Sequence, residues 1–159
     1  MKTVLAFVCA CFMSIYAAPA SAAPRTISGP VVADVLSVYD GDTLTVIAHP
    51  WPGVMVQTSV RLNGLDTPEI RGKCDLEKAL ALQARDALIA LAGERIVLHN
   101  ITLGKYAGRV VADITTPDGV NIVAALIAAG LAKPYDGGTR QSWCPAPVQE
   151  TPPHDAQID

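Results

Sequence analysis

Val54-Met55-Val56-Gln57-Thr58-Ser59-Val60-Arg61-Leu62 alternates along its length and runs directly into Asn63-Gly64-Leu65-Asp66-Thr67-Pro68-Glu69. A β-strand sends successive side chains to opposite faces. Val54, Val56, Val60 and Leu62 therefore share one apolar face, and Met55, Gln57, Ser59 and Arg61 share the other. The pattern predicts a half-buried strand that carries Arg61 on its polar side. Two acidic side chains, Asp66 and Glu69, follow within nine residues of that arginine.

The chain on either side fits the same reading. Val31 to Tyr39 is β-branched and apolar and ends at the turn signal Asp40-Gly41, after which Thr43-Leu44-Thr45-Val46 alternates again. His49-Pro50-Trp51-Pro52-Gly53 reads as a loop. Downstream, Leu76, Leu80, Ala84, Ala87, Leu88 and Leu91 recur at helical spacing, with Asp75 as N-cap and Gly93 as stop. Arg95 to His99 and Val110 to Thr115 read as strands, separated by the Gly-bounded loop Gly104-Lys105-Tyr106-Ala107-Gly108. Asn121 to Ala129 reads as a short Ala-rich helix. About five strands, with a helix after the third and another after the fifth, predict an α+β arrangement around a small barrel. A five-stranded Greek-key barrel of the OB type fits, as do other small β-rich folds.

The chain has 159 residues, four cysteines, 5% aromatic residues and a formal charge of −3. That length is one domain's worth, and four cysteines are too few for a disulfide-dense miniprotein. Lys2, the apolar run from Val4 to Ile15 and Ala20-Ser21-Ala22 have the form of a secretory leader cleaved after Ala22. The apolar run is too short for the roughly 20 residues that span a bilayer. Loss of residues 1–22 takes away Cys9, Cys11 and Lys2, so the mature charge becomes −4. The oxidising compartment that the leader implies makes a Cys74–Cys144 disulfide an expectation, with two unpaired thiols as the alternative. From Pro145 onward the chain reads as a disordered tail, and its three acids, Glu150, Asp155 and Asp159, leave residues 23–144 nearly neutral. Mild acidity excludes a protein that grips nucleic acid by bulk positive charge, but not one with a local phosphate site.

Asp40-Gly41-Asp42-Thr43 by itself reads as a hairpin turn. If Asp42 lies near Asp66, the two carboxylates supply hard oxygen ligands for a divalent cation such as Ca²⁺. Glu69 is then left to accept a proton from water. Arg61 and Arg109 are two permanently charged groups that match phosphate oxygens bidentately. One cation, two guanidiniums and one carboxylate are what a phosphodiester transition state requires. His49, His99 and His154 lack ligand spacing, and Trp51 reads as a loop residue.

The ordered set Asp40 to Thr43, Arg61 to Glu69, a helix, Lys105 to Arg109 and Gly130 to Ala132 resembles the staphylococcal-nuclease (thermonuclease) family. The resemblance covers about 100 of the 159 residues. It implies an OB-fold barrel and Ca²⁺-dependent hydrolysis of DNA and RNA, with products that end in a 3′-phosphate. By motif position, Asp42 and Asp66 would bind Ca²⁺ through carboxylates and Thr67 through its carbonyl, with Asp40 in the outer shell. Glu69 would activate or orient water, and Arg61 and Arg109 would clamp the phosphate. Lys105, Tyr106 and Tyr135 are candidates for nucleotide contact. The chain departs from the family pattern at Gly104, where an acidic residue is usual, and at Ala107, an extra residue in the loop. Trp143-Cys144-Pro145 replaces a helical C-terminal segment, and the mature chain is acidic where well-known members are basic.

The reading is therefore an α+β OB-fold with two or three helices, an exported and monomeric nuclease of residues 23–144. It has no membrane association once the leader is gone. Its rivals are a non-catalytic OB-type nucleic-acid-binding module, in which Glu69 beside a phosphate would be repulsive, and a Ca²⁺-binding protein, which leaves Arg61 and Arg109 without a purpose.

Overall fold

A computed structural model describes residues 26–146. The expected leader, 1–22, and the expected tail beyond Ala146 lie outside the described residues. The elements in chain order are β1 (Thr26–Ile27), β2 (Val31–Val38), β3 (Thr43–Trp51), β4 (Val54–Leu62), β5 (Leu65–Asp66), α1 (Asp75–Ala92), β6 (Arg95–Leu103), β7 (Arg109–Thr115), α2 (Ile122–Ala128) and β8 (Lys133–Pro134).

Five of these strands close a barrel. β2 pairs antiparallel with β3 and β6, β3 with β4, and β6 with β7, while β4 and β7 run parallel. Closure leaves no open sheet edge across the middle of the molecule. With α1 and α2 packed against it, this mixed barrel is the α+β OB-like fold expected from the sequence. The buried interior is aliphatic, with Leu44, Val46, Val60, Leu62, Ile96, Leu98 and Ile114 each at most 1% exposed. Among the described residues no helix is long and apolar enough to cross a membrane.

Three local readings are corrected. His49 to Gly53 is not all loop. β3 continues to Trp51, which pairs with Val54, and the register shift between Ala48 and Trp51 accommodates Pro50, which has no N–H for a ladder. The turn shrinks to Pro52-Gly53, with Gly53 at φ 77°. Val54 and Val56 do share the face of Val60 and Leu62, yet they are 46% and 45% exposed. Only Ser59 to Leu62 of β4 meets β7, so the outer half of the β3–β4 hairpin projects past the barrel.

The third correction concerns α1. Its N-cap is Cys74, not Asp75, and its buried face is Glu77, Ala81, Ala84, Leu88 and Ala92, while Leu76 is 51% exposed. The alanines admit a close neighbour. A Cβ on Gly41 would lie 2.6 Å from Ala84 Cβ and 2.9 Å from Thr67 Cγ2. Glycine at 41 thus lets the Asp40–Asp42 loop press against α1 and Thr67, and this is how the two acidic motifs meet.

Candidate active site

The β2–β3 loop is tied at several points. Asp40 Oδ1 accepts the Asp42 N–H at 3.1 Å, Thr43 Oγ1 donates to Asp42 Oδ1 at 2.8 Å, and the Leu62 N–H donates to the Asp42 carbonyl at 2.8 Å. Asp42 is 2% exposed and Asp40 8%. Burial first, and then the charge of Asp42, push the Asp40 carboxyl up to about 6.

β4 delivers the second motif. After Leu62 the chain turns at Gly64 (φ 80°) into β5, whose Asp66 pairs with Lys133 of β8. Asp66 and Thr67 are buried at 2% and 1% exposure. Arg61 lies opposite Thr43 on the barrel wall and reaches both acids, with Nη1 2.6 Å from Asp42 Oδ1 and Nη2 4.0 Å from Asp66 Oδ1.

The parallel β4–β7 register places Arg109 beside Ser59, two residues before Arg61 and on the same face. That separates the two arginine Cα positions by roughly 7 Å along the strands. Arg109 Nε is buried without a hydrogen-bond partner among the described residues, and its guanidinium stacks on Tyr106 at 4.8 Å from the ring centre. A Cβ on Gly104 would stand 2.7 Å from the Arg109 carbonyl oxygen, which accounts for glycine where an acidic residue is usual.

Arg61, Glu69, Lys105, Tyr106, Arg109 and Tyr135 line one open groove of about 440 Å³. Asp42, Asp66 and Thr67 are buried beside Arg61 and Glu69, with Asp40 behind Asp42. The structure thus brings the sequence-derived site residues into one neighbourhood. Tyr135 is held by its N–H to the Gly64 carbonyl at 3.0 Å and by its hydroxyl to the Gly138 carbonyl at 2.9 Å.

Sequence reasoning missed one arginine. Arg140 lines the same groove, with Nε 2.6 Å from Asp66 Oδ1, Nη2 donating to the Thr67 carbonyl at 2.9 Å, and Nη1 on Glu69 Oε1. Burial alone would lower its pKa; the Glu69 and Asp66 carboxylates outweigh this and raise it, so Arg140 is a fixed cation. Its position follows from the bond between Cys74 and Cys144, with Cα atoms 5.9 Å apart. Cys74 lies five residues after Glu69 and Cys144 four after Arg140, so the expected bridge was the signal that could have found it. Cys74, Glu77 and Cys144 crowd together, but sulfurs bonded to each other offer no thiolate to a metal.

The donor chemistry suits a hard divalent cation. Asp42 and Asp66 carry buried carboxylates, faced here by Arg61 and Arg140, Asp40 lies beside Asp42, and Thr67 offers a carbonyl. Asp66 Oδ1 has no aligned hydrogen bond despite its arginine neighbours.

A family model described as staphylococcal nuclease homologue matches residues 59–143, more than half of the chain. The chain belongs to the staphylococcal nuclease homologue family. The match runs from the inner half of β4 to Trp143 and contains Arg61, Asp66, Thr67, Glu69, Arg109 and Arg140. No curated protein matches the chain. Membership in the staphylococcal nuclease family suggests a nuclease-type hydrolase with nucleic-acid substrates, in a family that is generally metal-dependent.

Proposed function

We propose that this chain is an exported, Ca²⁺-dependent nuclease that hydrolyses the phosphodiester bonds of DNA and RNA. The observation that carries this reading is the convergence of Arg61, Arg109 and Glu69 on one groove, beside the buried acids Asp42 and Asp66. A binding module gains nothing from a carboxylate placed among its phosphate-binding arginines.

Asp42, Asp66 and the Thr67 carbonyl would hold Ca²⁺, with Asp40 in the outer shell. Bound there, the ion supplies positive charge to the phosphoryl oxygens. Arg61 and Arg109 clamp the phosphate bidentately, with Arg109 toward the leaving group, and stabilise the charge that grows in the transition state. Glu69 orients the attacking water or accepts its proton. The new P–O bond forms as the P–O5′ bond breaks, so the products carry a 3′-phosphate. Lys105, Tyr106 and Tyr135 contact the nucleotide. The working form is a monomer whose domain is residues 23–144, freed from its leader and fastened by the disulfide, followed by an acidic tail from Pro145, in the periplasm or the external medium.

The test is to incubate the purified mature protein with DNA and with RNA, in Ca²⁺ and then in EGTA. Ca²⁺-dependent loss of polymer with 3′-phosphate ends is the expected result. Intact polymer in Ca²⁺ overturns the proposal.

A further inference from the structure

Arg140 lies in the irregular segment that follows β8, and this segment is strapped across the site. Lys133 Nζ donates to the Ser142 carbonyl at 2.8 Å and sits 4.1 Å from the centre of the Trp143 ring. Trp143 Nε1 approaches Asp66 Oδ2 at 3.4 Å, and Cys144 is bonded to Cys74. Within this strap the guanidinium nitrogens go to three different acceptors, Asp66, Glu69 and the Thr67 carbonyl.

Glu69 is gripped from the other side as well. Glu77, in the first turn of α1 and 8% exposed, accepts the Lys73 N–H at 2.8 Å and the Glu69 N–H at 3.4 Å. It thereby fixes the loop that carries Glu69, much as a capping-box glutamate reaches back past a helix start. The Glu69 side chain is 43% exposed, and Arg140 is the polar partner of its carboxylate among the described residues. A glutamate on an exposed loop otherwise samples many rotamers, whereas a group that orients water must be held within about 0.5 Å. The fork leaves Glu69 Oε2 and the second lone pair of the Thr67 carbonyl unused, while Asp66 faces Arg140 through Oδ1 and Trp143 through Oδ2.

We infer that Arg140 is a positioning residue for hydrolysis. Its guanidinium sets the Glu69 carboxylate against the Asp66–Thr67 edge of the site, and the Cys74–Cys144 bond delivers it there. This inference rests on the nuclease reading above.

The experiment is steady-state cleavage of DNA in Ca²⁺ by wild type, Arg140→Gln, Arg140→Lys and the double variant Cys74→Ser/Cys144→Ser, each well below its thermal transition. Calorimetric Ca²⁺ titration of the same proteins without DNA is the second readout. Arg140→Gln should lower kcat about 10- to 100-fold, as loss of an orienting partner does, with KM within roughly threefold. Arg140→Lys keeps the charge without the fork and should recover only part of the rate. The double-serine variant should lose rate in the same direction, and Ca²⁺ affinity in Arg140→Gln should be unchanged or tighter, because a cation beside Asp66 and the Thr67 carbonyl is gone. With an active wild type, an undiminished kcat in Arg140→Gln overturns this inference alone. So does a change confined to KM, or tighter Ca²⁺ binding with kcat retained, which would make Arg140 a mere competitor for the oxygens. Should Arg140→Gln not fold, a wild-type kcat in Arg140→Lys overturns it. A wild type without Ca²⁺-dependent cleavage overturns the nuclease reading, and this inference with it.

Discussion

Arg61 Nη1 lies 2.6 Å from Asp42 Oδ1, so the barrel wall supplies the countercharge of a carboxylate that is only 3% exposed. Removing that partner leaves a buried charge uncompensated. Breaking such a pair costs about 3–5 kcal/mol. Arg61→Ala should therefore unfold at a lower urea concentration than wild type in EGTA. Added Ca²⁺ should restore part of the loss, because a ligand of the folded state stabilises it by mass action. Equal midpoints in EGTA would mean that Arg61 has no structural share in the site.

Arg109 is placed differently. Its guanidinium stacks on Tyr106, and Nε has no hydrogen-bond partner among the described residues. Arg109→Ala should keep the wild-type thermal transition while lowering turnover about 10²- to 10³-fold, the usual loss when one transition-state donor is removed. Arg109→Lys should not rescue it, because an ammonium lacks the planar fork. A melting transition lost in either variant would reassign Arg109 to a structural role.

Gly41 controls how closely the two acidic motifs approach. The Cβ of an alanine would lie 2.6 Å from Ala84 Cβ and 2.9 Å from Thr67 Cγ2. Overpacking of this kind costs about 1–3 kcal/mol, and its relief must displace either α1 or Thr67. Gly41→Ala should thus lower the urea midpoint and weaken Ca²⁺ binding in a calorimetric titration. Wild-type affinity in a destabilised variant would separate the packing from the site.

The legible parts of the molecule are those with local signatures. The alternation through Arg61 and Leu62, the Asp40-Gly41 turn and the short Ala-rich helix that begins at Asn121, whose Oδ1 accepts the Ala124 N–H at 2.9 Å, are each set by neighbouring residues. Alternation reports which face a side chain takes but not how deep it lies, so Val54 and Val60 read alike and differ in burial. The buried stripe of α1 runs through Ala84 and Leu88, as read, but also through Glu77, Ala81 and Ala92, which a pattern weighted by leucine passes over in favour of the exposed Leu76. The parallel pairing of Ser59 with Arg109 spans fifty residues and has no local mark, yet it sets the two site arginines side by side. Arg140 was hidden because its segment has no periodicity. Only the cysteine pair ties it to Glu69.

The most direct measurement compares the initial rate of plasmid cleavage by wild type and Glu69→Gln, each in Ca²⁺ and in EGTA. The substitution keeps the shape of a half-exposed side chain, so the fold should be retained, as checked by the thermal transition. Cleavage by wild type only in Ca²⁺, with a loss of about 10²- to 10⁴-fold in Glu69→Gln, is the result expected if this groove hydrolyses phosphodiesters. Equal rates in the two proteins, or no cleavage by wild type in Ca²⁺, would contradict it.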